Sequence, residues 1–457
     1  MSQGALTHIE SQGVATPEWM VKTQCALFAT LWAVTMLPNI LIVRNFALVL
    51  GAIIGLYIAF RNREALISKK AIPIAVIALL FLWVTWHLLF IGKNHTLQWA
   101  EYGSLWKRAL LGSLFALGLG LSLIRSKRSD WGLIFAGLCG PVVIYYFKYF
   151  AGFIATHFGF SLPEALILFS SGVSSFYIPK ISYVFFCLPA FAVSLGYIAE
   201  LFRSKDIKWK IASIYITPII GVLGIFYLEN IKNGFIYAVI LTLIFFIYIF
   251  RSAAKSLSWK SYCLLALLGL AIFSSFLNNI YANDSWKTLV ADYKIASHAQ
   301  PVQIWSSEAS VYPINEYGRQ VSITNFDRVF YLTTALTFVK QYPMGYGLVQ
   351  SSFGHIAREN FPSAPLIQSH SGWMDLTLGL GIPGALLLLV ASIFAMLQVT
   401  NVPSPWSIFG VWSLLSIVLL LLTTEAGQKN YVDTFVWLVV MVGGLGLGSV
   451  TQNRSKQ

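Results

Sequence analysis

Long apolar runs alternate with short polar connections along most of this chain. Each run reaches or approaches the roughly 20 apolar residues that a helix needs to cross a bilayer. The predicted spans cover residues 22–42, 45–60, 71–91, 108–124, 131–150, 182–202, 211–228, 233–250, 261–281, 374–397, 405–423 and 434–451. Because hydrocarbon offers no partner to unpaired backbone groups, such runs are expected to be helical. The pattern therefore predicts an all-α, polytopic membrane protein with about 12 transmembrane helices.

The composition and the placement of charge agree with this prediction. Hydrophobic residues make up 57% of the 457 residues and charged residues only 11%, whereas soluble domains carry about 25% charged residues. The net charge is +13, but Lys and Arg gather in short clusters between apolar runs. Such clusters are typical of cytoplasmic loops, so we expect both termini in the cytoplasm and no nucleic-acid partner. The sequence has no phosphate-binding glycine loop either, so no nucleotide is expected.

One long polar interval, residues 282–373, interrupts the apolar pattern. It divides the chain into residues 1–281 with nine spans and short periplasmic loops, the long periplasmic loop itself, and residues 374–457 with three spans and a cytoplasmic tail. A loop of this length is usually functional. We predict one amphipathic helix in SWKTLVADYKIASHA and a second helix that has Asn325 as its N-cap and ends before Pro343.

Arg328 is the first candidate for chemistry in this loop. The predicted N-cap places it in the first turn of its helix, where the helix dipole disfavours a cation. Free backbone N–H groups and a guanidinium at one helix start would together suit a phosphate group. The alternative is a local ion pair of Arg328 with Asp327 or Glu316.

His370 is the second candidate, because it lies just before a span at the predicted membrane boundary. Imidazole can accept a proton from a hydroxyl group at neutral pH. The alternative is an interfacial histidine whose ring is satisfied by the backbone. Asp375, one turn later, is either a favourable acid in the first turn of a helix or the partner that orients His370.

A shorter outer loop, residues 151–181, is predicted to form a short amphipathic helix in the membrane interface. It ends at Lys180, which is either a snorkelling anchor or a cation for an anionic ligand. Lys107 and Arg108 open another span and are weaker candidates for an anion site. His355, His370 and the scattered carboxylates have no metal-ligand spacing, so no metal site is predicted.

Two stretches carry a family pattern: NFDRVFYLTTALTFVKQYPMGYGLVQSSF and, after it, QSHSGWMDLTLGLGIPG. The sequence resembles the bacterial O-antigen ligase family, within the ligase and polymerase superfamily of membrane glycosyltransferases. The matching positions, in order, are Arg328, Pro343, Gly345, Gly347, His370 and residues 381–384. Ser371 departs from the asparagine that many superfamily members have after the histidine.

The resemblance implies a GT-C-like fold in the bacterial inner membrane and an active site on the periplasmic side. It implies transfer of a polysaccharide from undecaprenyl pyrophosphate to the lipid A–core acceptor, with inversion and without a metal or other cofactor. His370 would be the base, and Arg328 would hold the pyrophosphate. Lys180 is the nearest match to a second basic residue of the family. That residue is often arginine, and a lysine cannot make the same bidentate contact.

Other functions remain open. An O-antigen polymerase or a protein O-oligosaccharyltransferase would use the same lipid-linked donor with a different acceptor. A flippase for the lipid-linked glycan would be expected to carry charged groups inside its spans, and a purely structural partner would not need Arg328 or His370.

The expectation of metal-free chemistry is testable by chelation. Treatment of the purified protein with a chelator is expected to leave the rate of glycan transfer unchanged, because no ligand set of the kind that holds a catalytic metal is predicted. Loss of transfer that is restored by one added metal ion would contradict this expectation.

Overall fold

The computed structural model describes residues 16–454, apart from residues 125, 170–171, 173, 204–208, 254–258, 306–311 and 428–429. This described part is built of α-helices joined by turns and by short 3₁₀ and π-helical segments, and it contains no β-strand. The helices are α1 Glu18–Val34, α2 Leu41–Arg61, α3 Arg63–Leu66, α4 Ile72–Trp86, α5 His95–Glu101, α6 Lys107–Leu123, α7 Arg128–Phe158, α8 Lys180–Arg203, α9 Trp209–Leu228, α10 Lys232–Ala253, α11 Trp259–Ala282, α12 Leu289–His298, α13 Pro301–Trp305, α14 Ile323–Gln341, α15 Ser352–Asn360, α16 Gly372–Val399, α17 Trp406–Leu420 and α18 Tyr431–Arg454.

Each predicted span lies mainly on one helix, although the span 22–42 also includes the first two residues of α2; this confirms an all-α polytopic membrane protein. Within the described residues, 9 helices are long and apolar enough to cross a membrane by length and composition. The other three helices that overlap predicted spans are shorter: α1 and α6 have 17 residues each and α17 has 15. The division of the chain at residues 281 and 373 and the orientation of the termini stay predictions.

Polar contacts distinguish the two ends of the helix bundle. At one end, Lys127 before α7 forms an ion pair of 2.6 Å with Glu18 at the start of α1. At the opposite end, the Asn39 side chain donates to the Ser175 carbonyl, and the Asn430 side chain donates to the Thr35 carbonyl. The long interval between α11 and α16 lies at this second end, which we call the loop end.

The loop after α7 differs from its prediction. Instead of ending near residue 150, α7 continues to Phe158 and stops at Gly159, whose φ of 71° is left-handed. The rest of the loop holds a three-residue 3₁₀ turn, Glu164–Leu166, and no further α-helix in its described residues. The predicted interfacial amphipathic helix is therefore wrong, because the apolar run around residue 150 extends the span rather than starting a new helix.

The helix that carries Arg328 also begins earlier than predicted. Ser322 is the N-cap residue, and α14 starts at Ile323, so Asn325 lies inside the first turn and Arg328 in the second. The Asn325 side chain instead donates to Asp292 of α12 at 2.9 Å. Asp292 is fully buried and also accepts from the Ser322 backbone N–H. The hydrogen bond to Asp292 thus takes the place of an N-cap bond from the Asn325 side chain. Asp292 also holds the start of α14 against α12.

The glycine turn at residues 345–347 packs directly against α16. Tyr346 N donates to Leu378 O at 2.7 Å, and Gly347 N donates to Gly379 O at 2.8 Å. The helix is kinked at this place, with a φ of 75° at Gly381. A Cβ atom on Gly345 would lie 2.3 Å from Gly381 N. Close backbone approach therefore requires glycine here.

A buried carboxylate holds the chain that follows this turn. Glu101 at the end of α5 accepts from Val349 N at 3.0 Å and from Gln350 N at 3.1 Å. Burial raises the pKa of Glu101, whereas its two backbone hydrogen bonds lower it. His87 adds a contact of 2.8 Å to Met344 O. The connection between α4 and α6 thereby anchors the segment that leads towards His370.

Substituting Gly345 tests this packing. Gly345→Ala is expected to destabilise the purified protein by about 3 kcal/mol or more, because a left-handed backbone is combined with overlap on α16. Gly318→Ala is the matched control: its φ of 69° is similar but nothing lies within 4 Å of the added Cβ, so only about 1–2 kcal/mol is expected. Equal losses of thermal stability for the two variants would contradict the packing account.

Candidate active site

His370 lies on a short turn just before α16. Its φ of 58° is left-handed, which is uncommon for a residue other than glycine and is found most often where the surroundings enforce it. Its Nδ1 lies 3.2 Å from Glu425 Oε2, and the side chain is 38% exposed. The ring stacks on Tyr331 of α14 with a centroid distance of 5.5 Å. This arrangement presents the other ring nitrogen, Nε2, as the one available to a substrate.

Asp375 bridges the two segments that carry His370 and Glu425. Its buried carboxylate accepts from Ser369 N at 3.0 Å and Ser369 Oγ at 2.6 Å through one oxygen. The other oxygen accepts from Ala426 N at 2.9 Å. Asp375 is an acid in the first turn of α16, as one alternative predicted. Its bonds are to the neighbours of His370 and Glu425, and the carboxylate that contacts the imidazole belongs to Glu425.

The start of α16 reinforces this bridge. Gly372 N donates to Thr424 O at 2.7 Å, and Trp373 N donates to Leu421 O at 3.3 Å. These are two of the first-turn N–H groups that a helix cannot satisfy internally. A Cβ atom on Gly372 would lie 2.5 Å from the Leu421 side chain. The turn before α16 and the connection between α17 and α18 therefore lie against each other.

Arg328 points its guanidinium toward α10. Its Nη1 donates to Asn233 Oδ1 at 2.9 Å. Burial lowers the pKa of Arg328, and the nearby Tyr237, Glu425 and Asp327 oppose this effect. Within the described part of the chain, Arg328 has no ion-pair partner. Glu425, whose carboxylate contacts His370, is near enough to interact electrostatically with Arg328.

Both sequence interpretations of Arg328 need correction. The local ion pair is wrong, because Asp327 accepts from Tyr312 and Glu316 lies 3.9 Å from Lys294. The shared site of guanidinium and first-turn N–H groups is wrong as well, because Arg328 is in the second turn of α14. An unpaired guanidinium remains as the feature to explain.

Lys232, at the start of α10, is a second cation beside Arg328 that sequence analysis missed. Its Nζ donates to Asn325 Oδ1 at 3.1 Å and to Ser285 Oγ, and it lies 5.9 Å from the Trp286 ring centroid. Lys232 and Arg328 repel each other electrostatically. The available signal was a lysine in a very short connection directly before a span. The adjacent Asn233 holds Arg328, so α10 positions both cations.

Lys180 lies at the start of α8 and reaches the same turn between α9 and α10. Its Nζ is 3.1 Å from Glu229 Oε2, and its side chain is 52% exposed. Glu229 also accepts from the Tyr145 hydroxyl at 2.6 Å. Lys180 is thus ion-paired in this structure, but only the turn that contains Glu229 separates it from Lys232.

Arg108 has different partners. Its Nε lies 3.1 Å from Asp433 Oδ2 of α18, and together with Arg44 it lines a small cavity. Among the described residues, neither Asp433 nor Arg44 contacts His370 or Arg328. The structure therefore brings together His370, Glu425, Arg328 and Lys232, with Lys180 nearby, and leaves Arg108 in a separate cluster.

The fold and this polar cluster define a polytopic membrane protein with a candidate active site at the loop end. Residues 218–389 match the family model described as O-antigen ligase. The match confirms the resemblance to the O-antigen ligase family and supports a function of the O-antigen ligase or polymerase type. It covers Lys232, Arg328, His370 and Asp375, whereas Glu425 lies beyond it. Comparison with curated proteins returns no match.

The bridge made by Asp375 is testable by substitution. Asp375→Ala is expected to destabilise the protein by roughly 3–5 kcal/mol, because three donors lose a buried anionic acceptor. Asp284→Ala is the control, since that carboxylate is exposed and forms a surface ion pair with Lys287; a change within about 0.5 kcal/mol is expected. A thermal unfolding curve of Asp375→Ala that superimposes on the wild-type curve would refute the bridge.

Proposed function

We propose that this protein transfers a polysaccharide from undecaprenyl pyrophosphate to a sugar hydroxyl of the lipid A–core, at the periplasmic face of the inner membrane and with inversion. The observation that carries the proposal is the juxtaposition of an unpaired guanidinium with a histidine–carboxylate pair. The guanidinium would bind the pyrophosphate leaving group, and the histidine–carboxylate pair would accept the proton of the acceptor hydroxyl. The family match supports glycan transfer of this general type.

Arg328 and Lys232 bind the pyrophosphate in this proposal. Lys232 lies at the loop end of the apolar helix α10, and Arg328 of α14 contacts α10 there through Asn233. A lipid headgroup would sit at this place with its chain in the membrane. Two neighbouring cations repel each other, and a dianionic group between them would relieve this repulsion. The guanidinium offers a fork that matches phosphate oxygens. Charge on the leaving oxygen would be stabilised as the glycosidic bond breaks.

Lys180 is proposed as a further contact to the donor. It would exchange its ion pair with Glu229 for the pyrophosphate or for the first sugars of the chain. Arg108 stays a secondary candidate. It would contact the substrate only if the donor or the acceptor extended to α18. The chemistry assigned to His370 and Arg328 requires no metal ion or nucleotide.

His370 is proposed as the general base. Its Nε2 would accept the proton of the acceptor hydroxyl while the hydroxyl oxygen bonds to the anomeric carbon on the face opposite the leaving group. The bond between that carbon and the pyrophosphate oxygen breaks, and the lipid pyrophosphate departs. Glu425 would hold the proton on Nδ1 and stabilise the imidazolium ion that forms. Asp375 would position both partners without contacting the substrate.

Reconstitution tests the reaction and the roles of His370 and Glu425. Wild-type protein is mixed with undecaprenyl-pyrophosphate glycan and lipid A–core, and the mobility of the core is followed on a gel. Loss of the base in His370→Ala is expected to slow transfer about 10²–10⁴-fold. Glu425→Gln is expected to slow it about tenfold or more, because a neutral amide stabilises the imidazolium less than a carboxylate does. His157→Ala, an exposed histidine elsewhere at the loop end, should transfer normally.

The products distinguish the competing functions. Longer lipid-linked glycan with an unmodified core would identify a polymerase, and glycan on added protein would identify a protein O-oligosaccharyltransferase. Movement of the lipid-linked glycan across the bilayer without any new covalent product would identify a flippase. Wild-type transfer rates in His370→Ala would exclude the proposed base.

A further inference from the structure

A cavity of about 340 Å³ lies at the loop end on a different face of α7 from the candidate active site. It is enclosed by α7, the connection between α1 and α2, and the segment that follows α7. Its walls are mostly apolar; the lining residues used below are Leu37, Asn39, Phe147, Lys148, Leu166 and Phe176. No role in the proposed transfer has been assigned to any of them.

Of the described residues that line this cavity, Lys148 is the one that carries a charge. It is only 5% exposed, and the described residues provide it with neither a hydrogen bond nor an ion pair. A largely covered lysine side chain without an anionic partner is unfavourable. Among the described residues, Lys148 therefore lacks the counter-charge that would offset its burial.

The position of Lys148 makes simple snorkelling a poor explanation. The sequence prediction ends the span at residue 150 and would leave Lys148 at the membrane boundary. In the structure α7 continues to Phe158, which places Lys148 about 15 Å before the end of the helix. A snorkelling lysine extends its ammonium group into water, whereas this side chain is covered by protein.

The cavity is separate from the pyrophosphate site. On a neighbouring face of α7, the Tyr145 hydroxyl donates to Glu229 and so contacts the turn between α9 and α10. Phe147 and Lys148 face the cavity instead. Asn39 at its rim donates to Ser175 O at 3.0 Å, which holds the segment after α7 over the cavity.

We propose that this cavity binds one anionic phospholipid of the leaflet at the loop end. The phosphate group would pair with the Lys148 ammonium, and an acyl chain would lie along Leu37, Phe147 and Leu166. Charge complementarity selects an anion, and the apolar walls select a lipid over free phosphate, which would leave them without a partner. The bound lipid would link the connection between α1 and α2 to the segment after α7.

Native mass spectrometry of the full-length protein in neutral detergent tests the site. Phosphatidylglycerol, zwitterionic phosphatidylcholine and inorganic phosphate are the probes. Wild-type protein is expected to hold one phosphatidylglycerol more tightly than phosphatidylcholine. Lys148→Met is expected to weaken phosphatidylglycerol binding about tenfold or more, because a charge-assisted bond is lost. Lys340→Met is the control, since that lysine is exposed and lies on α14, and it should bind as wild type.

Thermal unfolding separates loss of binding from loss of folding. Without lipid, Lys148→Met should melt at least as high as wild type, because an uncompensated charge has been removed. Phosphatidylglycerol should then raise the melting temperature of wild type and Lys340→Met but not of Lys148→Met. Ala165→Trp keeps the charge and fills the cavity, so it should lose the lipid effect as well.

Two results would overturn the proposal. One is equal phosphatidylglycerol binding by wild type and Lys148→Met. The other is displacement of the lipid by inorganic phosphate at the same molar concentration, which would make the site one for a free anion. Because binding and melting are measured without glycan transfer, failure of the transfer mechanism would not affect either result.

Discussion

The buried carboxylate of Asp375 is the constraint on which the candidate active site depends. It binds Ser369 on one side and Ala426 on the other, so it joins two chain segments that are far apart in sequence. His370 and Glu425 are the immediate neighbours of these two residues. A displacement of either segment would separate the imidazole from its carboxylate, now 3.2 Å away. The left-handed backbone of His370 is tolerated because this bridge and the start of α16 determine its surroundings.

Arg328 and Lys148 differ from the cations that join helices to each other. Arg108 pairs with Asp433 and Lys180 with Glu229, and these pairs fasten helices to each other. Arg328 and Lys148 have no such partner among the described residues. Inside or beside a membrane, a charge without a partner is expensive, so its presence indicates that a ligand completes the site. The same reasoning underlies the proposals of a pyrophosphate at Arg328 and of an anionic lipid at Lys148.

Much of the fold could be predicted from local pattern, but half of the site could not. Apolar runs located most membrane helices to within a few residues. The exceptions are α1, which ends at Val34 instead of near residue 42, and α7, which extends to Phe158 and changes the setting of Lys148. The family pattern singled out Arg328 and His370 because they lie in ordered motifs. Glu425 and Lys232 lie outside those motifs, and only tertiary contacts bring them to His370 and Arg328. Asn325 looked like an N-cap residue, but a distant buried acceptor, Asp292, determined its place.

The most direct measurement of the central claim is an electron cryomicroscopy structure of the protein in lipid nanodiscs with undecaprenyl pyrophosphate bound. We predict pyrophosphate density between Arg328 and Lys232, with at least one phosphate oxygen within hydrogen-bond distance of the guanidinium and with Nε2 of His370 facing the position of the first sugar. Pyrophosphate density at Arg44 and Arg108, with Arg328 still bound only to Asn233, would contradict the account.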